Sequence, residues 1–262
     1  GLRKSFAKIM GVYKQRRKLV GSEKLRPRSE WYDWNYKSEL YAFAKRLNED
    51  LTEDTLRIAF THKSFIDQEE LKRKNLGISL QDVQIQLADN SSLITIGEQI
   101  ISKYIKAFIR HCYEALPEEG VSAVHDYLMS DCVLSRVSLN IGTKDLLLCS
   151  DFPPEESTLA ATLKAIIGAI AQDNDTKRAE KFVLDFILTE LAGKDIFDIW
   201  EIPKPLSVLN SILKKQGRLP SESRLVFSSG RNTILAVFQV ALFSDKEFLG
   251  QGPGETLTIA EE

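Results

Sequence analysis

Cysteine and histidine are scarce in this 262-residue chain, with three of each, Cys112, Cys132 and Cys149, and His62, His111 and His125, all far apart. An odd number of scattered cysteines excludes a disulfide framework, and none are spaced as in a zinc knuckle, so a reducing compartment fits the chain better than secretion. Scattered histidines fit satisfied structural positions better than metal ligation. Long apolar runs are missing too. The most apolar stretches, residues 165–171 and 234–243, are shorter or more interrupted than the roughly 20 apolar residues a bilayer-spanning helix needs. No signal-peptide-like apolar segment opens the sequence, and no internal repeat or low-complexity tract interrupts it. What remains is close to the globular average. With 43% hydrophobic and 27% charged residues, a core can be buried, and the length suits one large domain or two ordinary ones.

Acidic residues are nearly absent from the first 28 positions, where ten Lys and Arg face a single acid, Glu23, giving that arm +9 and the remainder −11. The formal total of −2 hides this asymmetry. A basic arm on an acidic body suggests a polyanionic partner. Leu2, Phe6, Ile9, Met10 and Tyr13 fall on one helical face among the cations, a pattern shared by organelle-targeting segments and RNA-gripping helices. A solvated charge run that binds nothing is the plain alternative.

After Pro27 and the cluster of residues 31–34, apolar positions recur at helical spacing. Leu40, Phe43, Ala44 and Leu47 define one helix, and residues 51–60 a second, with residues 61–65 turning into the next. Leu93, Ile96, Ile100, Ile101, Tyr104 and Phe108 define a longer helix within residues 87–111, and two shorter amphipathic helices are expected over 117–129 and 131–141. A buried helix is expected over 155–172. Its Gly168 lowers helix propensity by about 1 kcal/mol relative to alanine, which a close helix-to-helix approach can offset. At Pro203 and Pro205 the pattern changes to one helix over 206–215 and strand-like segments over 224–228, 234–243 and 247–250. A last helix begins at Thr258. A sheet open on one face calls for a covering helix, so the natural chain is expected to continue past Glu262. The expected organisation is a basic arm over residues 1–34, a helical domain over 35–200 and a small α+β domain over 201–262.

Two strings, Ala59-Phe60-Thr61-His62-Lys63-Ser64-Phe65 and Ala165-Ile166-Ile167-Gly168-Ala169-Ile170, together with the α-β-β-β tail, resemble the ribonuclease III family. The resemblance runs from about Tyr36 to Glu262. It implies a mainly α fold, an all-helical ribonuclease III-like domain followed by an α+β double-stranded-RNA-binding-like domain whose final helix is truncated. Cleaving a phosphodiester with two magnesium ions requires several carboxylates to hold the metals. The family's first acidic motif, laid over residues 91–98, puts its glutamates at Ser91 and Ile94 and its closing aspartate at Glu98, beside a retained Gly97. Its second motif, laid over residues 160–165, puts an aspartate at Ala161 and a glutamate at Lys164. One acid survives, so the resemblance implies no nuclease activity, no metal and no cofactor. If the two motifs face each other, Lys164 is expected to pair with Glu98.

The second domain departs from the family in the same direction. Leu257 and Thr258 stand where the family carries paired lysines, and Glu255, Glu261 and Glu262 make the surroundings acidic. The expected RNA contacts are therefore Arg16, Arg17, Lys18, Arg26 and Arg28 of the arm, followed by Lys214, Lys215 and Arg231. Thr95 occupies the position of the family's aromatic dimer anchor, which leaves self-association open. Degenerate acids with an added basic arm resemble a mitochondrial large-subunit ribosomal group within this family. That implies residence in the ribosome of the mitochondrial matrix, with ribosomal RNA and neighbouring ribosomal proteins as partners, no membrane span and no small-molecule substrate. Two alternatives stand beside it: an active endoribonuclease using a rearranged set, Glu98, Asp89 and Asp173, and a free RNA-binding adaptor.

Overall fold

The computed structural model describes residues 2–21, 27–77, 88–114, 116–202, 204–231 and 233–261. Leu87, Pro203, Asn232 and Glu262, at which the sequence reading placed element ends, turns or an acid, and the arm's Arg26 lie outside the described residues. The chain divides into two compact units, residues 1–194 and 195–262.

The first unit is helical. It contains α1 (Leu2–Val20), α2 (Tyr36–Leu47), α3 (Glu53–Ala59), α4 (Lys63–Asn75), α5 (Ser91–Cys112), α6 (Glu118–Met129), α7 (Asp131–Ile141), α8 (Glu156–Asp173) and α9 (Thr176–Phe182), the last continuing into a π-helical turn, Val183–Ile187, and a 3-10 turn, Leu188–Leu191. Caps set several ends. The Asn35 side chain accepts from the Ser38 N–H, Thr52 accepts from the Thr55 N–H, and α7 stops at Gly142, whose φ of +89° suits a residue without Cβ. The core is built around α8. Leu159, Leu163, Ala165, Ile166, Ile167, Ala169 and Ile170 are all buried, so this helix is apolar over nearly its whole circumference and is packed on several sides. Its main neighbours are α5 and α7.

The α5–α8 crossing is unusually close, for a reason visible in two glycines. A Cβ on Gly97 would lie 1.9 Å from the Lys164 carbonyl oxygen, and one on Gly168 would lie 2.1 Å from the Leu93 carbonyl oxygen. Only glycine lets the two backbones meet there. The expected role of Gly168 is therefore present, with Gly97 as its counterpart.

The second unit opens with a 3-10 turn, Ile196–Asp198, followed by α10 (Pro205–Lys215), β1 (Glu222–Ser229), β2 (Val237–Ser244), β3 (Glu247–Gly254) and α11 (Leu257–Glu261). The sheet is antiparallel in the order β1-β2-β3, with Leu225 opposite Val240 and Val240 opposite Gly252. Val240, Leu213 and Ala260 are buried. A Cβ on Gly254 would approach the Ala260 nitrogen to 2.4 Å, so glycine there lets α11 lie against the end of β3. The strand limits differ from the sequence reading, by one or two residues for β1 (Glu222–Ser229 against 224–228) and most at the start of β2 and the end of β3. Strand β2 starts at Val237 rather than Ile234 because turn hydrogen bonds precede it, the Thr233 N–H donating to the Gly230 carbonyl and the Ala236 N–H to the Thr233 carbonyl. Strand β3 runs on to Gly254 because its pairing with β2 persists to Phe238.

Candidate functional site

The α5–α8 crossing places the two acidic-motif positions side by side. Ser91, Ile94 and Glu98 follow one another along α5 at spacings of three and four, and Ala161 and Lys164 lie one turn apart on α8. Because Gly97 rests on the Lys164 carbonyl, Glu98, which follows it on α5, comes within reach of the Lys164 side chain. Lys164 Nζ donates to Glu98 Oε1 at 3.1 Å, with the lysine side chain 14% exposed and the glutamate 50%. The expected pair is present. Ser91 is exposed and its hydroxyl donates to Asp89 Oδ2 at 2.7 Å, while Thr95 Oγ1 donates back to the Ser91 carbonyl. A hydroxyl, an alkyl chain, a methyl group and an ammonium cannot supply anionic oxygen to a magnesium ion, and the one carboxylate among the five already has a cation beside it.

The rearranged acid set does not assemble. Asp173 sits at the C-terminal end of α8, nine residues from Lys164, hence about 13 Å further along the helix axis. Two-metal sites hold their ions only about 4 Å apart. Both Asp173 oxygens are committed at the start of α3, where they accept from the Thr52 N–H at 2.8 Å and the Thr55 hydroxyl at 2.9 Å. Asp89 holds Ser91. Among the described residues, no group of three or more His, Cys, Asp or Glu converges as a metal site.

The Thr-His-Lys-Ser turn is a junction of backbone and side-chain hydrogen bonds. Thr61 is fully buried and forms a parallel bridge with Leu148, and its hydroxyl donates to the Arg57 carbonyl. His62 caps α4, its Nδ1 accepting from the Ser64 N–H at 3.3 Å and lying 2.7 Å from the Ser64 hydroxyl. That hydroxyl oxygen accepts from the Ser150 N–H. Buried Asn90, just before α5, donates its amide to the Ala59 carbonyl and its N–H to the Thr61 carbonyl. The turn thus fixes where α5 starts, and with it the register that brings Glu98 to Lys164. The sequence reading did not single out Asn90. Its partners lie about 30 positions away and leave no local signal.

The described arm forms the solvated helix α1. Arg16, Arg17 and Lys18 are exposed, and so are Phe6, Ile9, Met10 and Tyr13, from 40% to 65%. At about 100° per residue, Lys8, Lys14 and Lys18 share the arc opposite Ile9, Tyr13 and Phe6. Arg17 and Lys18 lie in the last turn, where cations complement the helix dipole. Arg28 is differently placed. Its guanidinium lies 5.4 Å from the Trp34 ring centroid and 5.9 Å from that of Trp31, and it reaches Asp145 at 3.9 Å. In the second unit Lys214 and Lys215 are exposed at the end of α10, and exposed Arg231 donates its Nε–H to the Ser228 hydroxyl at 2.8 Å. No described helix is long and apolar enough to cross a membrane.

Comparison with known proteins places this geometry in context. Residues 35–170 match the family model for the large ribosomal subunit protein mL44, endonuclease domain, and residues 200–262 match the model for the MRPL44 dsRNA-binding domain. The chain is similar to large ribosomal subunit protein mL44 of Caenorhabditis elegans, with 30% identity over 247 residues, which is 94% of this chain and 61% of that protein. It is also similar to ribonuclease 3 of Borreliella burgdorferi, with 24% identity over 232 residues, covering 86% of this chain and 88% of the other. Among solved structures, the nuclease domain of ribonuclease III from Campylobacter jejuni is 20% identical, covers 59% of this chain and 97% of that one, and superposes with a TM-score of 0.48.

Proposed function

The chain belongs to the family of large ribosomal subunit protein mL44, and from that premise we propose that it is a structural component of the large subunit of the mitochondrial ribosome, in the matrix, without nuclease activity. The chain spans 61% of the length of its Caenorhabditis elegans relative. Residues 1–34 act as the basic arm, 35–200 as the ribonuclease III-like body and 201–262 as the second domain. The observation that carries the loss of activity is the Lys164–Glu98 pair. An ammonium contacts the one acid left at the five positions where the family resemblance assigns metal-holding carboxylates, so an internal ion pair closes the α5–α8 crossing at the place where that resemblance would put the metal ions.

The arm supplies affinity for ribosomal RNA. Arg16, Arg17, Lys18, Arg26 and Arg28 contact phosphates, with Lys214, Lys215 and Arg231 adding to them, and the acidic body meets neighbouring ribosomal proteins. Phosphate contacts release counterions, so binding weakens steeply with salt and discriminates little between base sequences. Deleting residues 1–34 is expected to weaken binding to the ribosomal RNA and to lower the log–log salt slope by about four. An unchanged isotherm contradicts the arm's role. In a gradient of gently lysed mitochondria the chain is expected among large ribosomal particles, whereas recovery at the top of the gradient favours a free adaptor.

A further inference from the structure

Helix α1 carries no acid anywhere along its length, and the first acid after it in the sequence is Glu23. Lys8, Lys14, Arg16, Arg17 and Lys18 are exposed, and among the described residues none of them takes part in an ion pair or a side-chain hydrogen bond. Cations of the helical body are used differently, with Arg110 held by Glu118, Arg136 by Glu190 and Arg178 by Glu49. Free cations with no acid beside them are complementary to a polyanion.

The apolar side of α1 is interrupted by charge. At about 100° per residue, Ile9, Tyr13, Phe6 and Met10 follow one another around the helix, with Arg17 between Phe6 and Met10 and Arg16 bordering Ile9. Phe6 is 65% exposed and Tyr13 48%. Their rings lie on nearly the same side, about 10 Å apart along the axis, with Arg17 one turn beyond Tyr13. A helix that lies on an anionic membrane keeps its apolar face for the acyl boundary and its cations on the other face, whereas Arg17 would be carried in with this one. Aromatic rings with arginines among them match unpaired RNA instead, since every base offers a π-face to a ring while a guanidinium reaches the adjoining phosphate.

We propose that α1 binds unpaired RNA, with Phe6 and Tyr13 each stacking on a base and Arg16 and Arg17 on the adjoining phosphates. This rests on the arm contacting ribosomal RNA, as proposed above, and narrows its ligand to single-stranded loops or bulges. Bases within a duplex are stacked on one another and closed to the two rings. Stacking tolerates any base, so the arm still discriminates little between sequences.

The test compares the full wild-type chain with one carrying both Phe6→Leu and Tyr13→Leu. The probes are a mixed-sequence single-stranded RNA and the same RNA annealed to its complement. Leucine keeps an apolar, helix-favouring side chain at both positions and removes only the π-face. Neither ring is buried, so equal thermal unfolding midpoints are the folding control. The variant is expected to bind the single strand about tenfold more weakly and the duplex as wild type does, with an unchanged log–log salt slope because the phosphate contacts remain. Wild-type affinity of the variant for the single strand, or an equal loss on the duplex, overturns stacking while leaving the arm's phosphate role intact. Mixed cardiolipin and phosphatidylcholine vesicles that bind both proteins alike and strip the RNA from them identify a lipid surface and overturn the proposal. If deletion of residues 1–34 leaves affinity for both RNAs unchanged, the arm's role in RNA binding is itself overturned, and stacking falls with it.

Discussion

Lys164 and Glu98 come from sequence positions 66 apart and meet because two glycines let α5 and α8 touch. Half-exposed ion pairs are worth little, of order 0–1 kcal/mol, and Glu98 at 50% exposure stays hydrated when its partner is removed. A double-mutant cycle of Lys164→Met and Glu98→Gln is therefore expected to give a coupling of about 0.5 kcal/mol in chemical denaturation. Zero coupling means that the pair does not hold the crossing. Tyr36 gives a pH test. Burial pushes its phenol well above the usual tyrosine range, and its hydroxyl donates to the Leu146 carbonyl at 3.1 Å. A raised folded-state value means that the unfolded chain loses this proton first, so the contribution is complete below about pH 10 and is lost as pH rises further. Tyr36→Phe is expected to cost about 1 kcal/mol at neutral pH and to flatten the alkaline decline of stability. An equally steep decline in the variant contradicts this.

Among the elements, the α5–α8 crossing matters most. An alanine at position 168 regains about 1 kcal/mol of helix propensity but forces its methyl group onto the Leu93 carbonyl, a clash at the upper end of overpacking costs, about 3 kcal/mol or more. Gly168→Ala is therefore expected to destabilise the chain by about 2 kcal/mol in urea denaturation, and a stabilised variant means that the helices are not in backbone contact. Legibility in the sequence follows how local each signal is. Helix α7 has the limits its periodicity predicts, Asp131–Ile141, since an apolar stripe and a closing Gly142 are both written within a dozen residues. Residues 61–65 signal a turn into a further helix but not its limits, because α4 (Lys63–Asn75) buries none of its residues and so carries no apolar stripe to read. The π-helical turn Val183–Ile187 has no period of its own and blurs into the end of α9. Contacts such as Asp173 with Thr52, or buried Glu49 with Arg178, join residues more than 100 positions apart and leave no trace in any local window. The Lys164–Glu98 pair was legible only through the family resemblance, which aligned two motifs that spacing alone does not connect.

On the scale of the whole molecule, the proposed function joins two observations, the charge separation along the chain and the Lys164–Glu98 pair at the α5–α8 crossing. The arm carries +9 and the rest −11, and the proposed function therefore expects RNA affinity to be concentrated in the arm. The most direct test incubates the purified full chain with long duplex RNA in magnesium and, separately, in manganese. The account predicts intact RNA and no shift of the thermal unfolding midpoint on adding either ion, because Lys164 already stands against Glu98. Metal-dependent cleavage that disappears in Glu98→Ala would contradict it.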